Sequence, residues 1–278
     1  MPYRLLALDV DGTILDPDGE LRDAVRQAVM AARQAGLRVV LCTGRRFRST
    51  RPVAQDLRLD GPVVVHNGAL VKDVVSAETL HCHPLPESLC RRGLEVLRQL
   101  APPLIYIDAF HEEVDILTEH LEHLHPFQQE YLQDNIPYCR FVDDLAATEL
   151  RGVVMLSIMA EADRLRALRP VVEDALAGQG HTKMILNKNF RGHILEVLPA
   201  TVSKWQALER LMAAEGIAPD DVVAIGDDYN DLEMIQGAGL GIAMGNAVEP
   251  VRAAAGYVTG SNDDDGVVQA IERFVLRR

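Results

Sequence analysis

The segment Asp9-Val10-Asp11-Gly12-Thr13 places two carboxylates two residues apart, directly after the apolar run Leu5-Leu6-Ala7-Leu8. Such a pair can present a nucleophile and a proton donor to one ligand. An Asp-Gly pair after a strand is also ordinary turn chemistry, because Asp bonds nearby amides and Gly accepts positive φ. The pentapeptide alone does not choose between the two.

Three further segments bear on the choice. Thr43-Gly44-Arg45 follows an apolar run that ends at Cys42. Thr43 offers a hydroxyl to a phosphoryl oxygen and Gly44 lets a ligand approach the backbone, although the tripeptide also reads as a plain strand-to-helix turn. Lys204 opens a helix, where its ammonium and the helix N-terminus both favour an anion. Gly226-Asp227-Asp228-Tyr229-Asn230-Asp231 holds three carboxylates within five residues. These repel one another unless a cation is present, and helix capping accounts for one aspartate, not three. Oxygen-only ligation with room for water suits Mg²⁺. With Mg²⁺ and Lys204 offsetting the acidic cluster, a phosphate dianion can enter.

The elements that must position these residues alternate between strand and helix. Strands are expected near 4–9, 37–41 and 62–66, the last followed by Asn67-Gly68-Ala69, with helices near 21–35 and 47–57. The alternation resumes with a helix near 203–215, a strand near 221–225, a helix after Asn230, a strand near 240–243 and a final helix near 264–277. This pattern predicts an α/β fold with a doubly wound, Rossmann-like parallel sheet. Ligands of such sheets bind beyond the carboxyl ends of the strands, where the four segments converge. From about residue 84 the texture changes, with Pro84, Pro86, Pro102, Pro103 and several histidines. Helices near 87–100 and 161–177 and strands near 104–108, 152–159, 182–187 and 192–197 predict an inserted α/β domain. The expected organisation is a discontinuous core, 1–83 and 192–278, interrupted by a cap at 84–191.

In their order, Asp9-Val10-Asp11-Gly12-Thr13, Thr43-Gly44-Arg45, Lys204 and Gly226-Asp227-Asp228-Tyr229-Asn230-Asp231 resemble the four motifs of the haloacid dehalogenase superfamily of phosphohydrolases. Asn67-Gly68-Ala69, Ala243-Met244-Gly245-Asn246-Ala247 and the run from Gly260 to Gly266 are similar to its Cof-like, type IIB branch, which carries a large α/β cap between the second and third motifs. The resemblance implies that Asp9 attacks phosphorus and forms an aspartyl-phosphate, while Asp11 protonates the leaving alcohol and then activates water. It implies that Asp9, the backbone carbonyl of Asp11, and Asp227 hold Mg²⁺. Thr43, Gly44, Lys204 and Asn230 would bind the phosphoryl oxygens, and Asn67 would touch substrate. Asp231 would orient Lys204 or a metal-bound water; Asp228 varies among relatives and has no assigned role. Trp205 stands where relatives commonly have Gly, and packing against the core is expected of it. The dehalogenases of the superfamily lack the second acid, so Asp11 speaks against carbon–halogen cleavage. The implied activity is Mg²⁺-dependent hydrolysis of a small phosphorylated metabolite, foremost a sugar phosphate, with the cap selecting the leaving group. A phosphomutase or phosphotransferase using the same intermediate, and a non-catalytic ligand-binding regulator, are the alternatives.

Composition sets the outer bounds. The chain has 278 residues, 48% of them hydrophobic, enough for one large domain or two smaller ones. A formal charge of −13 argues against broad nucleic-acid binding, which needs a basic face. No apolar run approaches the ~20 residues of a membrane span, and the first run is too short for a signal peptide, so no membrane partner and a cytoplasmic location are expected. Cys42, Cys82, Cys90 and Cys139 lack paired metal spacing and are read as reduced thiols. His120, His123 and His125 do not share one helical face, which favours solvated histidines over a metal site. Arg45 and Arg46 suit either phosphate steering or a salt-bridged helix start. The scattered aromatic residues offer no base-stacking platform.

Overall fold

The computed structural model describes residues 3–186 and 192–276. The last positions of the strand expected near 182–187 and of the helix expected near 264–277 fall outside the described residues. The chain divides into two units, Met1–His81 with Ser203–Arg278, and Cys82–Val202. Its strands are β1 (Leu5–Leu8), β2 (Arg38–Leu41), β3 (Pro62–Val65), β4 (Leu70–Asp73), β5 (Thr79–Cys82), β6 (Leu104–Ala109), β7 (Val114–Glu119), β8 (Cys139–Val142), β9 (Val153–Ala160), β10 (Gly180–Leu186), β11 (His193–Pro199), β12 (Val222–Gly226), β13 (Leu240–Ala243) and β14 (Tyr257–Val258).

In the first unit a parallel sheet runs in the order β14-β13-β12-β1-β2. All four residues of β1 are buried, as an interior parallel strand covered on both faces requires. The register sets Leu8 beside Leu41 of β2 and Ile225 of β12. Asp9, Cys42 with Thr43, and Gly226 with Asp227 therefore leave three adjacent strands at one level.

β3 departs from the expected parallel order. The chain turns back after Asn67, so β3 pairs antiparallel with β4 in a small sheet β3-β4-β5. A single parallel bridge, Cys42 to Val64, ties it to the end of β2.

Helix Asp23–Gln34 buries Val25, Ala28, Val29 and Ala32, an i, i+3, i+4, i+7 stripe facing the core. Helix Lys204–Glu215 starts at Ser203, whose Oγ accepts the Gln206 amide proton at 3.2 Å, a side-chain N-cap. Lys204 lies on the same buried stripe as Ala207, Leu208 and Leu211, so helical spacing alone drives this lysine inward. Trp205 lies off that stripe and packs against Gly237, where an added Cβ would run into the indole. The final helix begins at Gly266 and widens to a π-helix over Ile271–Leu276.

The second unit is a six-stranded sheet in the order β10-β11-β9-β6-β7-β8, antiparallel except for β7 with β8. Helices Glu87–Leu97 and Ala162–Leu176 supply Leu89, Leu94, Leu97, Leu165, Val172 and Leu176 to an aliphatic core with Leu156, Ile158, Leu195 and Val197. β11 pairs with β10 and β9, so residues 192–202 belong to this unit. The boundary expected at 191/192 lies at 202/203 instead, because the backbone partners of β11 are strands of the insertion. Among the described residues, no helix is long and apolar enough to cross a membrane.

Candidate active site

Lys204 is fully buried and bridges two carboxylates. Its Nζ donates to Oδ1 of Asp9 at 2.5 Å and to Oδ1 of Asp231 at 2.7 Å. Asp231, equally buried, spends its other oxygen on the backbone amides of Asp227 at 2.9 Å and Asp228 at 3.0 Å. Three of the roughly four acceptor sites of its carboxylate are therefore committed to the turn and to Lys204. Asp9 keeps Oδ2 outside the lysine bridge. Carboxylate oxygens of Asp9, Asp227 and Asp231 lie within 4.8 Å of one another.

Two glycines make this convergence sterically possible. Gly12 sits at φ +81°, and a Cβ there would collide with Oδ2 of Asp227. A Cβ on Gly226 would run into the carboxylate of Asp231. Only backbone without side chains lets the two acidic loops meet.

Burial, with Asp231, Asp227 and Asp11 adding negative charge, raises the pKa of Asp9 well above the ordinary carboxylate range despite the opposing pull of Lys204. Burial would lower the pKa of Lys204, but Asp231 and Asp9 outweigh it and hold the ammonium charged. Burial likewise pushes the Cys42 thiol up, so it stays protonated beside the site. Three buried carboxylates against one ammonium leave a deficit of positive charge. A hard cation with oxygen ligands fits that donor set, with Asp9 and Asp227 as the carboxylates whose oxygens are not spent on Lys204 and the turn amides together.

Asp11 stands apart from the cluster. Its carboxylate accepts both arms of the Arg45 guanidinium, Nε at 2.7 Å and Nη2 at 2.6 Å, a bidentate pair at the rim of the loop. Burial would lower the pKa of Arg45, but the hydrogen-bonded Asp11 more than offsets it. Of the two readings open for Arg45 in the sequence, the structure contains the salt bridge.

The remaining expected residues form a second group. Thr43 is buried, and its Oγ1 accepts the Arg45 amide at 3.1 Å, which leaves its hydroxyl proton to donate. Asn230 donates from Nδ2 to Oδ1 of Asn67 at 2.9 Å. Asn67 is fully buried in the left-handed region at φ 56°, and a Cβ on Gly44 would lie 3.2 Å from its Oδ1. Gly44, Asn67 and Asn230 are thus brought together. Asp228 accepts the Tyr229 amide at 2.8 Å and caps its own turn.

One contact was not singled out by residue type. Asn246 donates from Nδ2 to the Gly12 carbonyl at 2.8 Å and lies 3.4 Å from Oδ2 of Asp227. Its sequence signal was its place in the segment Ala243-Met244-Gly245-Asn246-Ala247, which carried the Cof-like resemblance but no assigned role. The histidines separate: His120 pairs with Asp143 at the surface, and buried His125 pairs with Glu161.

Carboxylates and one buried lysine at the carboxyl ends of a parallel sheet are the working parts of a phosphoryl-transferring hydrolase. The chain belongs to the haloacid dehalogenase-like hydrolases, whose sequence pattern matches residues 6–271; it is a Cof-like member and a phosphoric monoester hydrolase. It is 30% identical over 280 residues to the pyridoxal phosphate phosphatase YbhA of Escherichia coli, covering 99% of this chain and all of that one. It is 27% identical to the 5-amino-6-(5-phospho-D-ribitylamino)uracil phosphatase YitU of Bacillus subtilis, covering 98% of this chain and 97% of that one. The solved structure of a haloacid dehalogenase-like hydrolase from Bacteroides thetaiotaomicron superposes with a TM-score of 0.82 at 32% identity, covering 98% of this chain and 99% of that one.

Proposed function

We propose that the protein is a Mg²⁺-dependent phosphatase that hydrolyses a small phosphorylated metabolite, foremost a sugar phosphate, through an aspartyl-phosphate on Asp9. The observation that carries the reading is the Lys204 bridge, which holds Asp9 by one oxygen and keeps the other for attack. The two relatives above are named for small phosphorylated metabolites, which supports the substrate class.

Asp9 Oδ2 attacks phosphorus in line, and the bond from phosphorus to the leaving oxygen breaks. Asp11 must first release the Arg45 guanidinium and take up a proton from solvent; it then gives that proton to the leaving oxygen and is left as a carboxylate. Water then attacks the aspartyl-phosphate; Asp11 takes the water proton, the bond to Asp9 breaks and phosphate departs. Lys204, the Thr43 hydroxyl, the Gly44 backbone and the Asn230 amide bind the phosphoryl oxygens, and Asn67 holds Asn230 in place. Bound at Asp9, the Asp11 carbonyl and Asp227, Mg²⁺ supplies positive charge that offsets the phosphoryl oxygens. Among the described residues, all these groups lie in the first unit, so we assign choice of the leaving group to the inserted unit, near 82–202.

The test is phosphate release from a panel of sugar phosphates, nucleotides and cofactor phosphates, before and after chelation. Release that stops with EDTA and returns with Mg²⁺ is expected, strongest on sugar phosphates. Activity that survives thorough chelation would refute the metal role, and isomerised sugar phosphate without free phosphate would mean a mutase.

A further inference from the structure

We propose that Asn246 is a positioning residue for the cation site, setting the spacing between the two loops that supply its acidic ligands. The inference rests on the Mg²⁺ reading above. A primary amide has two N–H donors and one carbonyl acceptor, and this one uses both ends on different segments. Nδ2 reaches the Gly12 carbonyl at 2.8 Å and Oδ2 of Asp227 at 3.4 Å. Oδ1 accepts the Asn262 amide proton at 2.9 Å, and Asn262 in turn donates from its own Nδ2 to the Leu15 carbonyl at 2.8 Å. Three segments far apart in sequence, 12–15, 246 and 262, are closed into one ring of hydrogen bonds.

The backbone around Asn246 is fixed to the same loop. The Met244 amide donates to the Gly226 carbonyl at 3.0 Å, and the Val248 amide donates to the Asp227 carbonyl at 2.9 Å. Asn246 is thus held from both sides while its side chain spans from Asp227 to Gly12. Gly12 immediately follows Asp11, whose carbonyl is the assigned backbone ligand, and its φ of +81° brings it against Asp227. Fixing the Gly12 carbonyl fixes the peptide geometry beside that ligand. The contact to Asp227 restrains a carboxylate that Asp9 and Asp231 repel. An alanine at 246 releases both loops, and an aspartate could not donate and would add a charge beside Asp227. Partners that orient ligands in this way typically change metal affinity by about 10–100-fold when removed.

Isothermal titration of Mg²⁺ into the metal-free full-length protein tests the role. Wild type should bind, and Asn246→Ala, checked for folding by circular dichroism, should bind about 10–100-fold more weakly. Turnover of p-nitrophenyl phosphate by Asn246→Ala should recover to within about threefold of wild type at saturating Mg²⁺, the pattern of weakened ligand geometry rather than a lost transition-state contact. Equal Mg²⁺ affinity in a folded Asn246→Ala overturns the proposal and leaves the phosphatase reading intact. Wild type that binds no Mg²⁺ overturns the metal reading and this role with it. Should Asn246→Ala fail to fold, Asn262→Ala loosens the same ring without touching either acidic loop's ligands; weaker Mg²⁺ binding supports the role, and unchanged binding refutes it.

Discussion

The two units treat buried charge in opposite ways. In the first, Asp9, Asp231 and Lys204 are buried together and answer chiefly to one another, with Asp227 beside them. In the second, two buried ionisable groups, Glu119 and His125, are each paired with a charged partner that reaches water. Glu119 meets Arg98, which is 34% exposed, and His125 meets Glu161, which is 53% exposed. A paired charge at the rim is a scaffold element of small energetic weight. An unbalanced cluster excluded from water is a stored demand for a cation and an anionic ligand. The difference is why we propose the chemistry for the first unit.

Removing one charge from each unit should break the symmetry most sharply. Lys204→Ala leaves Asp9 facing Asp231 without a buried cation, and we expect a loss of about 3–5 kcal/mol in urea unfolding together with weakened phosphate binding. Arg98→Ala leaves the buried Glu119 carboxylate with the Leu145 amide, 3.1 Å away, and also releases Asp144; because Arg98 itself reaches water, the cost should be smaller, about 1–2 kcal/mol. Equal losses in the two variants would erase the contrast.

A smaller effect compares glycines. Gly12 and Gly152 both have positive φ, but a Cβ on Gly152 meets nothing within 4 Å. Gly152→Ala should therefore cost only the conformational term, about 1 kcal/mol. Gly12→Ala adds the collision with Asp227 and should cost about 2–3 kcal/mol, with Mg²⁺ binding lost as well. The melting temperatures of the two variants decide it.

The smallest effect is one of pH. Burial, only partly opposed by Glu161, lowers the pKa of His125. The unfolded chain therefore takes the proton more readily, so the contribution of His125 is intact above about 6.5 and is lost as pH falls through its depressed folded value. Thermal unfolding at neutral and mildly acidic pH should show His125→Gln losing less stability on acidification than wild type. An identical pH slope would mean that His125 does not contribute.

Much of the site was legible because its residue types are costly anywhere else. Asp9, Thr43 and Asp227 follow apolar runs that can only be buried strands, and three aspartates in five residues have no packing explanation. The pairing of Asp11 with Arg45 was not legible as more than one of two options, since it depends on side-chain directions across 34 residues of chain. The role of Asn246 was hidden for a similar reason: the segment Ala243-Met244-Gly245-Asn246-Ala247 marked it by resemblance, but its partners, Gly12, Asp227 and Asn262, are set by tertiary proximity. The fold followed the same division. Continuous apolar runs marked β1, β2, β12 and β13, whereas the mixed polar stretch containing β7, helix Pro126–Leu132 and β8 carries no clean period. β11 was recognisable as a strand, but its sheet is chosen by hydrogen-bond partners that no local pattern encodes.

The account stands on Asp9 as the group that receives phosphorus. Rapid acid quench during turnover of p-nitrophenyl phosphate with Mg²⁺, followed by peptide mass spectrometry, tests this directly. One phosphoryl group on the peptide that contains Asp9, absent in Asp9→Asn together with a rate loss on the order of 10⁴-fold or more, is the predicted result. Steady release of phosphate by Asp9→Asn, or a phosphoryl group on a different residue, would contradict it.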